Sequence, residues 1–458
     1  MRSLKVKETS GCRGWVFLPG DKSIAHRCII LSALSQATTK IDNFPANKDC
    51  LSTLKAFQSL GTNIKLIPMG RDSASVILCG KGLRGLKQPK KPIFVGESGT
   101  TLRLLLGVLA GQKFKVKLVA GKSLSHRPML RVTAPLRMMG AKISAHCTPP
   151  ACPVGRHTAH RTEEYPPITV KGGNLRAITY KMPVASAQVK SALLLAGLYA
   201  KGITRIIEPI KTRDHTERLL KLFRADLKIK KNTILLKGGR NLISPQKIYV
   251  PSDISSASFF IVLAAILSNS RLLIKIVSLN PSRLGIVRVL KRMGARISIK
   301  HTTHDTRHTT DYEPMGDILV KTSRLKGTIV IKEEIPALID ELPILMVAAS
   351  LARGQTVLEG VQELRVKETD RIRSMAENLK KMGARISVKS TNGSESIIIQ
   401  GVKGLRGEKV KSFSDHRTAM AMIVAGLVAK GKTSIDDVVC INKSFPGFLN
   451  LLKKLELL

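Results

Sequence analysis

Five short stretches of this sequence gather cations, hydroxyls and helix starts in a way that suits anionic substrates. The first is L-P-G-D-K-S-I-A-H-R at 18–27, followed at once by the apolar pattern C-I-I-L-S-A-L. A helix beginning there turns unpaired backbone N–H groups and a positive dipole end outward. Lys22, Ser23 and Arg27 at that mouth add two cations and a hydroxyl, a set suited to a phosphate dianion. G-E-S-G-T-T-L-R at 96–103 puts a glycine turn ahead of an apolar helix, where backbone N–H groups can approach a phosphate closely. S-H-R-P-M at 125–129 offers Arg127 beside a rigid proline. L-R-V-K-E-T-D-R-I-R at 364–373 spaces Lys367 and Arg371 four apart, on one helix face if helical, with Glu368 between them. S-D-H-R-T-A-M-A-M at 414–422 sets Arg417 at a further apolar helix start. Any one of these could be an ordinary solvated helix terminus, but five in one chain point to phosphorylated substrates.

The elements that must position these groups belong to a long chain. At 458 residues it exceeds one ordinary core, so two or three domains are expected. Apolar residues make up 43%, yet no run of about twenty lacks charge, so no membrane span is expected. No signal or transit pattern precedes the strand-like G-C-R-G-W-V-F-L-P-G, which makes the cytoplasm the expected compartment. Seven scattered cysteines lack the spacing of a disulfide scaffold and read as reduced, mostly buried thiols. The net charge of +44 would attract any polyanion. The basic residues are spread along the whole length, without zinc-finger spacing or an RNP-type aromatic motif. The charge therefore reads as solvated surface around a positive cleft, with nonspecific nucleic-acid adhesion as a side effect and no specific nucleic-acid partner.

Five segments repeat one pattern: an amphipathic helix end, a small or turn residue, then an alternating strand, as in L-K-R-M-G-A-R-I-S-I-K and L-K-K-M-G-A-R-I-S-V-K. Their pivots are read as Gly61, Gly140, Ala225, Gly294 and Gly383, a repeated supersecondary unit rather than a short-period solenoid. Helices such as S-A-Q-V-K-S-A-L-L-L-A-G-L and A-S-F-F-I-V-L-A-A-I are apolar nearly all round and belong inside layers. The predicted class is α/β (or α+β), repeated, with helices enclosed by sheets.

With these motifs in order, the chain resembles the 5-enolpyruvylshikimate-3-phosphate (EPSP) synthase family over essentially its full length. The resemblance rests on L-P-G-D-K-S-I-A-H-R, G-E-S-G-T-T-L-R, R-P-M-L-R-V-T-A-P-L, P-V-A-S-A-Q-V-K-S-A-L-L-L-A-G, R-D-H-T-E-R, V-P-S-D-I-S-S-A, I-D-E-L-P, R-V-K-E-T-D-R and S-D-H-R. It implies two domains of three βαβαββ units each: 22–248 inserted into a discontinuous domain of 1–21 plus 249–458, with a hinge near 20–22 and 247–250. It implies a shikimate-pathway transferase that moves the enolpyruvyl group of phosphoenolpyruvate to the 5-hydroxyl of shikimate 3-phosphate and releases phosphate. The reaction would run by addition and elimination through a tetrahedral intermediate, without metal or organic cofactor.

Such chemistry needs a carboxyl able to act as acid and base, and cations to neutralise two phosphates and a carboxylate. By resemblance, Lys22, Asp340, Glu368 and Lys443 are the catalytic set. Shikimate 3-phosphate would meet Lys22, Ser23, Arg27, Ser186, the backbone of Ala187, Gln188, Asp340 and Lys367. Phosphoenolpyruvate would meet Lys22, the backbone of Gly99, Arg127, Gln188, Arg371, Arg417 and Lys443. The protein is expected to act as a monomer.

Two other readings stay open. The sister transferases acting on UDP-N-acetylglucosamine carry Lys-Asn where this chain has Lys22-Ser23, and a reactive Cys in the loop that here reads G-K-S-L-S-H-R-P. A basic nucleic-acid-binding protein on the same fold is the other.

Two features depart from the family pattern. Glu97 stands where Asn is usual, and is expected to pair with an arginine and weaken the phosphoenolpyruvate site. Residues 144–164 look like a loose insertion, whose His146, Cys147, Cys152, His157 and His160 match no common zinc spacing. His301, His304 and His308 read as solvated residues of a polar loop.

Overall fold

In a computed structural model, the residues described are 3–70, 72–147, 163–301, 312–391 and 393–458. The chain divides into two compact units. A C-terminal unit comprises Met1–Asp21, Gly70–Ser73 and Pro251–Leu458, and an inserted unit comprises Lys22–Met69 and Ala74–Val250.

The inserted unit repeats one β-α-β-α-β-β pattern. Its plainest copy runs through strand Ile93–Phe94, helix Gly99–Ala110, strand Lys115–Val119, helix Leu130–Met138 and the strands Lys142–His146 and Tyr165–Lys171. The short first strand lies parallel to the second, with Ile93 opposite Leu118, and the last two strands pair antiparallel. Residues 179–237 repeat this order and register. The third copy takes its first strand, Lys247–Tyr249, from the far end of the unit, parallel to Thr38–Pro45.

The C-terminal unit uses the same device. Arg13–Phe17, far away in sequence, lies parallel to Arg271–Ser278, and Leu4–Lys7 closes the sheet of Lys432–Ile435. The first helices of its three copies, Ile254–Ile266, Leu342–Ser350 and His416–Val428, pack on one another. Their all-round apolar sequences follow from that position, since no face meets water. The second helices lie nearer the surface. In Gly285–Arg292, Ile286, Val289 and Leu290 are buried while Lys291 and Arg292 complement the C-terminal dipole. Phe259, Phe260, Phe445 and Phe448 fill one end with centroids 5.5–6.2 Å apart, within the range of favourable aromatic packing.

Three sequence expectations need correction. The repeat pivot at 225 lies one residue earlier. Gly61, Gly140, Gly294 and Gly383 have φ between 88° and 108°, and the matching left-handed residue is Arg224 at φ 60°. The turn needs that conformation whatever occupies it, so an arginine adopts it at some steric cost. The insertion after the third strand of its copy is narrower than 144–164, because His146 ends a strand and Glu164 is buried. Glu164 accepts from Thr133 Oγ1 at 2.6 Å and pairs with Arg137 at 2.7 Å. Cys152, His157 and His160 lie outside the described residues, as do His304 and His308. His301 is an exposed strand residue opposite Gly316 rather than part of a loop. Cys12, Cys28, Cys50 and Cys440 are buried, whereas Cys79 and Cys147 are exposed.

Candidate active site

In the inserted unit, the helix Lys22–Leu34 opens on the Lys22 side chain, which pairs with Asp49 at 2.8 Å. One turn on, Arg27 is buried among acceptors. Its Nε donates to Thr216 Oγ1 at 2.6 Å, Nη2 to Ser191 Oγ at 2.7 Å, and Nη1 to the Ser23 carbonyl at 2.9 Å. A guanidinium held on three sides has one orientation, which suits it to fix an anion rather than follow one.

Behind this helix mouth runs a buried polar chain. His26 Nδ1 is 2.6 Å from Thr53 Oγ1, which is 2.7 Å from Thr101 Oγ1, which donates to Ser98 Oγ at 2.7 Å. Ser98 caps the helix Gly99–Ala110, so the chain links the two glycine-turn motifs. Burial pushes His26 down to about 3 from 6.5, with Lys22 and Arg27 reinforcing the shift and Asp49 opposing it. The imidazole is therefore neutral in the folded chain where the unfolded chain has already taken a proton. Its contribution to stability is full above pH 6.5 and falls as pH drops from there toward 3, by about 2 kcal/mol at pH 5. Denaturant melts should show wild type losing about 2 kcal/mol more than His26→Asn between pH 7.5 and 5. Equal losses would refute the assignment.

The start of the helix Gly99–Ala110 is crowded by cations. A side chain at Gly99 would strike the guanidinium groups of Arg103 and Arg127, so only glycine leaves its N–H open beside them. Arg103 Nη1 donates to Gln188 Oε1 at 2.8 Å, and Gln188 Nε2 donates to Thr100 Oγ1 at 3.0 Å. Ser186 caps the helix Ala187–Gly197 that carries Gln188. Glu97 pairs with no arginine among the described residues. Its carboxylate accepts the backbone N–H groups of Leu124 at 2.8 Å and Ser123 at 3.3 Å, and a side chain at Gly121 would collide with it. Two amide donors satisfy the charge inside its own loop, which removes the basis for a weakened phosphoenolpyruvate site.

A second buried cluster braces the other side of Arg27. Lys190, fully buried, reaches Glu217 at 2.6 Å and Glu208 at 3.1 Å, and Glu208 also accepts the Thr212 N–H at 3.1 Å. Burial raises the Glu217 pKa even with Lys190 beside it. Through Thr216, the residue before Glu217, this cluster sets the acceptor that Arg27 uses.

The C-terminal unit gathers carboxylates on one guanidinium. Arg371, 1% exposed, donates from Nε to Asp415 Oδ2 at 3.0 Å, contacts Glu368 through Nη2, and has Asp340 Oδ1 3.5 Å from Nη1. Burial works against its charge, but Asp415, Glu368 and Asp340 together hold its pKa above the ordinary value. Nη1 has no hydrogen-bond partner among the described residues. Arg417 is the second residue of the helix His416–Val428 that Asp415 caps, and its Nη1 donates to the Asp340 carbonyl at 2.7 Å. Lys443 donates to the Ser414 carbonyl at 3.3 Å. Lys367 and Arg371 do not share a helix face. Lys367 ends the 3-10 turn Gln362–Val366, and Asp370 caps a new helix, Arg371–Lys381, by accepting the Arg373 N–H. A cap residue needs extended backbone, so the two cations stand on either side of a break.

Four participants escaped the sequence reading. Arg103 stood inside a quoted motif, so its type and place were visible. Thr216 and Asp415 also stood inside quoted motifs, R-D-H-T-E-R and S-D-H-R, though nothing local showed which cation each would contact, and Asp49 carried no signal.

The family profile of EPSP synthase (3-phosphoshikimate 1-carboxyvinyltransferase) matches residues 6–452. The chain is 42% identical over 450 residues to the 3-phosphoshikimate 1-carboxyvinyltransferase of Bacillus cytotoxicus, spanning 98% of this chain and 99% of that one. It is 45% identical over 451 residues to that of Desulforamulus reducens, spanning 98% and 99%. The solved EPSP synthase of Acinetobacter baumannii superposes with a TM-score of 0.82 at 40% identity, over 99% of this chain and 98% of that one. The enolpyruvyl transferase NikO of Streptomyces tendae shares the fold, at a TM-score of 0.75 and 15% identity over 99% and 97%. With a match over nearly its whole length in profile, sequence and structure, the chain belongs to the EPSP synthase family.

Proposed function

We propose that this protein transfers the enolpyruvyl group of phosphoenolpyruvate to the 5-hydroxyl of shikimate 3-phosphate and releases phosphate. The observation that carries the reading is the Arg371 cluster, where Asp340 and Glu368 share one buried guanidinium. Carboxyls there can carry protons, and the fixed positive charge between them favours an anion close by.

In the inserted unit, Lys22, Ser23 and Arg27 take the phosphate of shikimate 3-phosphate, with Ser186, Ala187 and Gln188 orienting the ring. Gly99, Arg103 and Arg127 form an anion cradle for phosphoenolpyruvate. In the C-terminal unit, Asp340 and Lys367 hold shikimate 3-phosphate, Arg371, Arg417 and Lys443 neutralise phosphoenolpyruvate, and Asp340 and Glu368 handle the protons on the hydroxyl and the methylene carbon. Fixed cations act here on charge that builds as the phosphate leaves, which is where preorganised groups lower a barrier most.

The test is phosphate release with both substrates. Release is expected only when phosphoenolpyruvate and shikimate 3-phosphate are both present. Release with UDP-N-acetylglucosamine instead, or none with either acceptor, would overturn the reading.

A further inference from the structure

The C-terminal unit carries a feature that enolpyruvyl transfer does not use: a row of cations in register across the outer face of one sheet. The strand order places Arg13–Phe17 beside Arg271–Ser278, then Met315–Lys321, then Arg296–His301. Arg13 lies opposite Arg271, Arg271 opposite Lys321, and Lys321 opposite Arg296. Adjacent strands are about 4.8 Å apart, so the row extends for about 14 Å. Like charges directly opposite one another weaken a sheet. Among the described residues, none of these side chains makes an ion pair with a carboxylate. Arg13 Nε donates to the Asn269 carbonyl at 2.9 Å, and the charge of the row as a whole is left open to a partner from outside.

The next row on the same face is apolar. Trp15 lies opposite Leu273, and Leu273 opposite Leu319. Trp15 is 54% exposed, Phe17 on the same strand is 39% exposed, and Lys454 places its ammonium 4.4 Å over the indole. Both rows line one open groove of about 1120 Å³, which Arg324 also lines. The acid on this face, Asp317, is engaged by Lys275 at 2.7 Å.

We propose that this groove binds single-stranded nucleic acid without sequence preference, independently of the transferase reaction. Regularly spaced cations follow a phosphodiester backbone, and exposed flat rings beside them stack bases. An acidic peptide would satisfy the cations but has no use for an exposed indole. A lipid headgroup surface would satisfy the cations but brings no base to stack on the exposed rings. Residues contributed by four strands also explain why no motif in the sequence announces the site.

The protein supplies its own reporter, since the sequence contains one tryptophan. Titrating the full chain with a fifteen-nucleotide oligouridylate should quench Trp15 fluorescence saturably. With the four cations of the row engaged, log K should fall against log salt with a slope of about −3. Arg271→Glu/Lys321→Glu should weaken binding at least tenfold and leave phosphate release unchanged. Lys65→Glu/Lys228→Glu, exposed lysines of the inserted unit that remove the same charge, should weaken it less than threefold. An abasic strand of equal length should bind more weakly and leave the indole unquenched. Equal loss in the two double variants, an unquenched Trp15, or equal binding of the abasic strand or of an acidic peptide would each overturn the proposal.

Discussion

Glu368→Gln is expected to slow turnover by about 10²–10⁴-fold while leaving thermal stability close to wild type. The side chain contacts Arg371 yet remains 26% exposed, so it can both meet a substrate and feel a fixed positive charge. Glutamine keeps the shape and can still accept from the guanidinium, but it cannot carry a proton at neutral pH. The loss should therefore fall on kcat, with modest change in the KM of either substrate. Steady-state phosphate release with both substrates varied makes the measurement. A kcat within a few-fold of wild type would show that Glu368 moves no proton.

Lys190→Met should be the most damaging single change to stability. It leaves Glu208 and Glu217 buried without their cation, a loss of about 3–5 kcal/mol. The effect has a pH signature. Burial already raises the Glu217 pKa above the unfolded 4.5, and removing Lys190 takes away the charge that opposes this. In the variant, the folded chain binds more protons than the unfolded chain between 4.5 and the raised value. Stability relative to wild type then falls as pH rises through that window and recovers toward pH 4.5. Denaturant melts at several pH values test this, and adding Glu217→Gln should restore part of the loss. A pH-independent deficit would point to packing rather than charge. Because Thr216 adjoins this cluster and holds Arg27, the variant should also bind shikimate 3-phosphate less well.

Much of the fold could be read before any coordinates. The helices apolar on all sides, such as Ile254–Ile266, and the amphipathic ones, such as Gly285–Arg292, differ in pattern because they differ in what surrounds them. The repeated helix-turn-strand segments marked the β-α-β-α-β-β unit. One pivot was misplaced, because Arg224 does by constraint what glycine does freely elsewhere. At 364–373 the spacing would have put Lys367 and Arg371 on one face if helical, yet Asp370 competes for the backbone and the helix starts only after it.

The anion-binding residues were legible because their chemistry is local. Lys22, Ser23, Arg27, Gly99 and Arg417 lie at helix starts, and helix starts announce themselves in sequence through turns, caps and the apolar run that follows. What those residues are held by was not legible. Asp49 reaches Lys22 across 27 residues, Thr216 reaches Arg27 across 189, and Asp415 reaches Arg371 across 44. The Glu97 carboxylate finds two backbone amides 26 and 27 residues away, where sequence reasoning had weighed only an arginine or solvent. The row Arg13, Arg271, Lys321 and Arg296 exists only because strands distant in the chain pair in one register. Sequence determines which groups are available and which local conformations they favour, since propensity, capping and periodicity act over a few residues. Partner identity, burial and the charge a group feels depend on distances that close only when the sheets and helices pack, so the tertiary structure alone decides them.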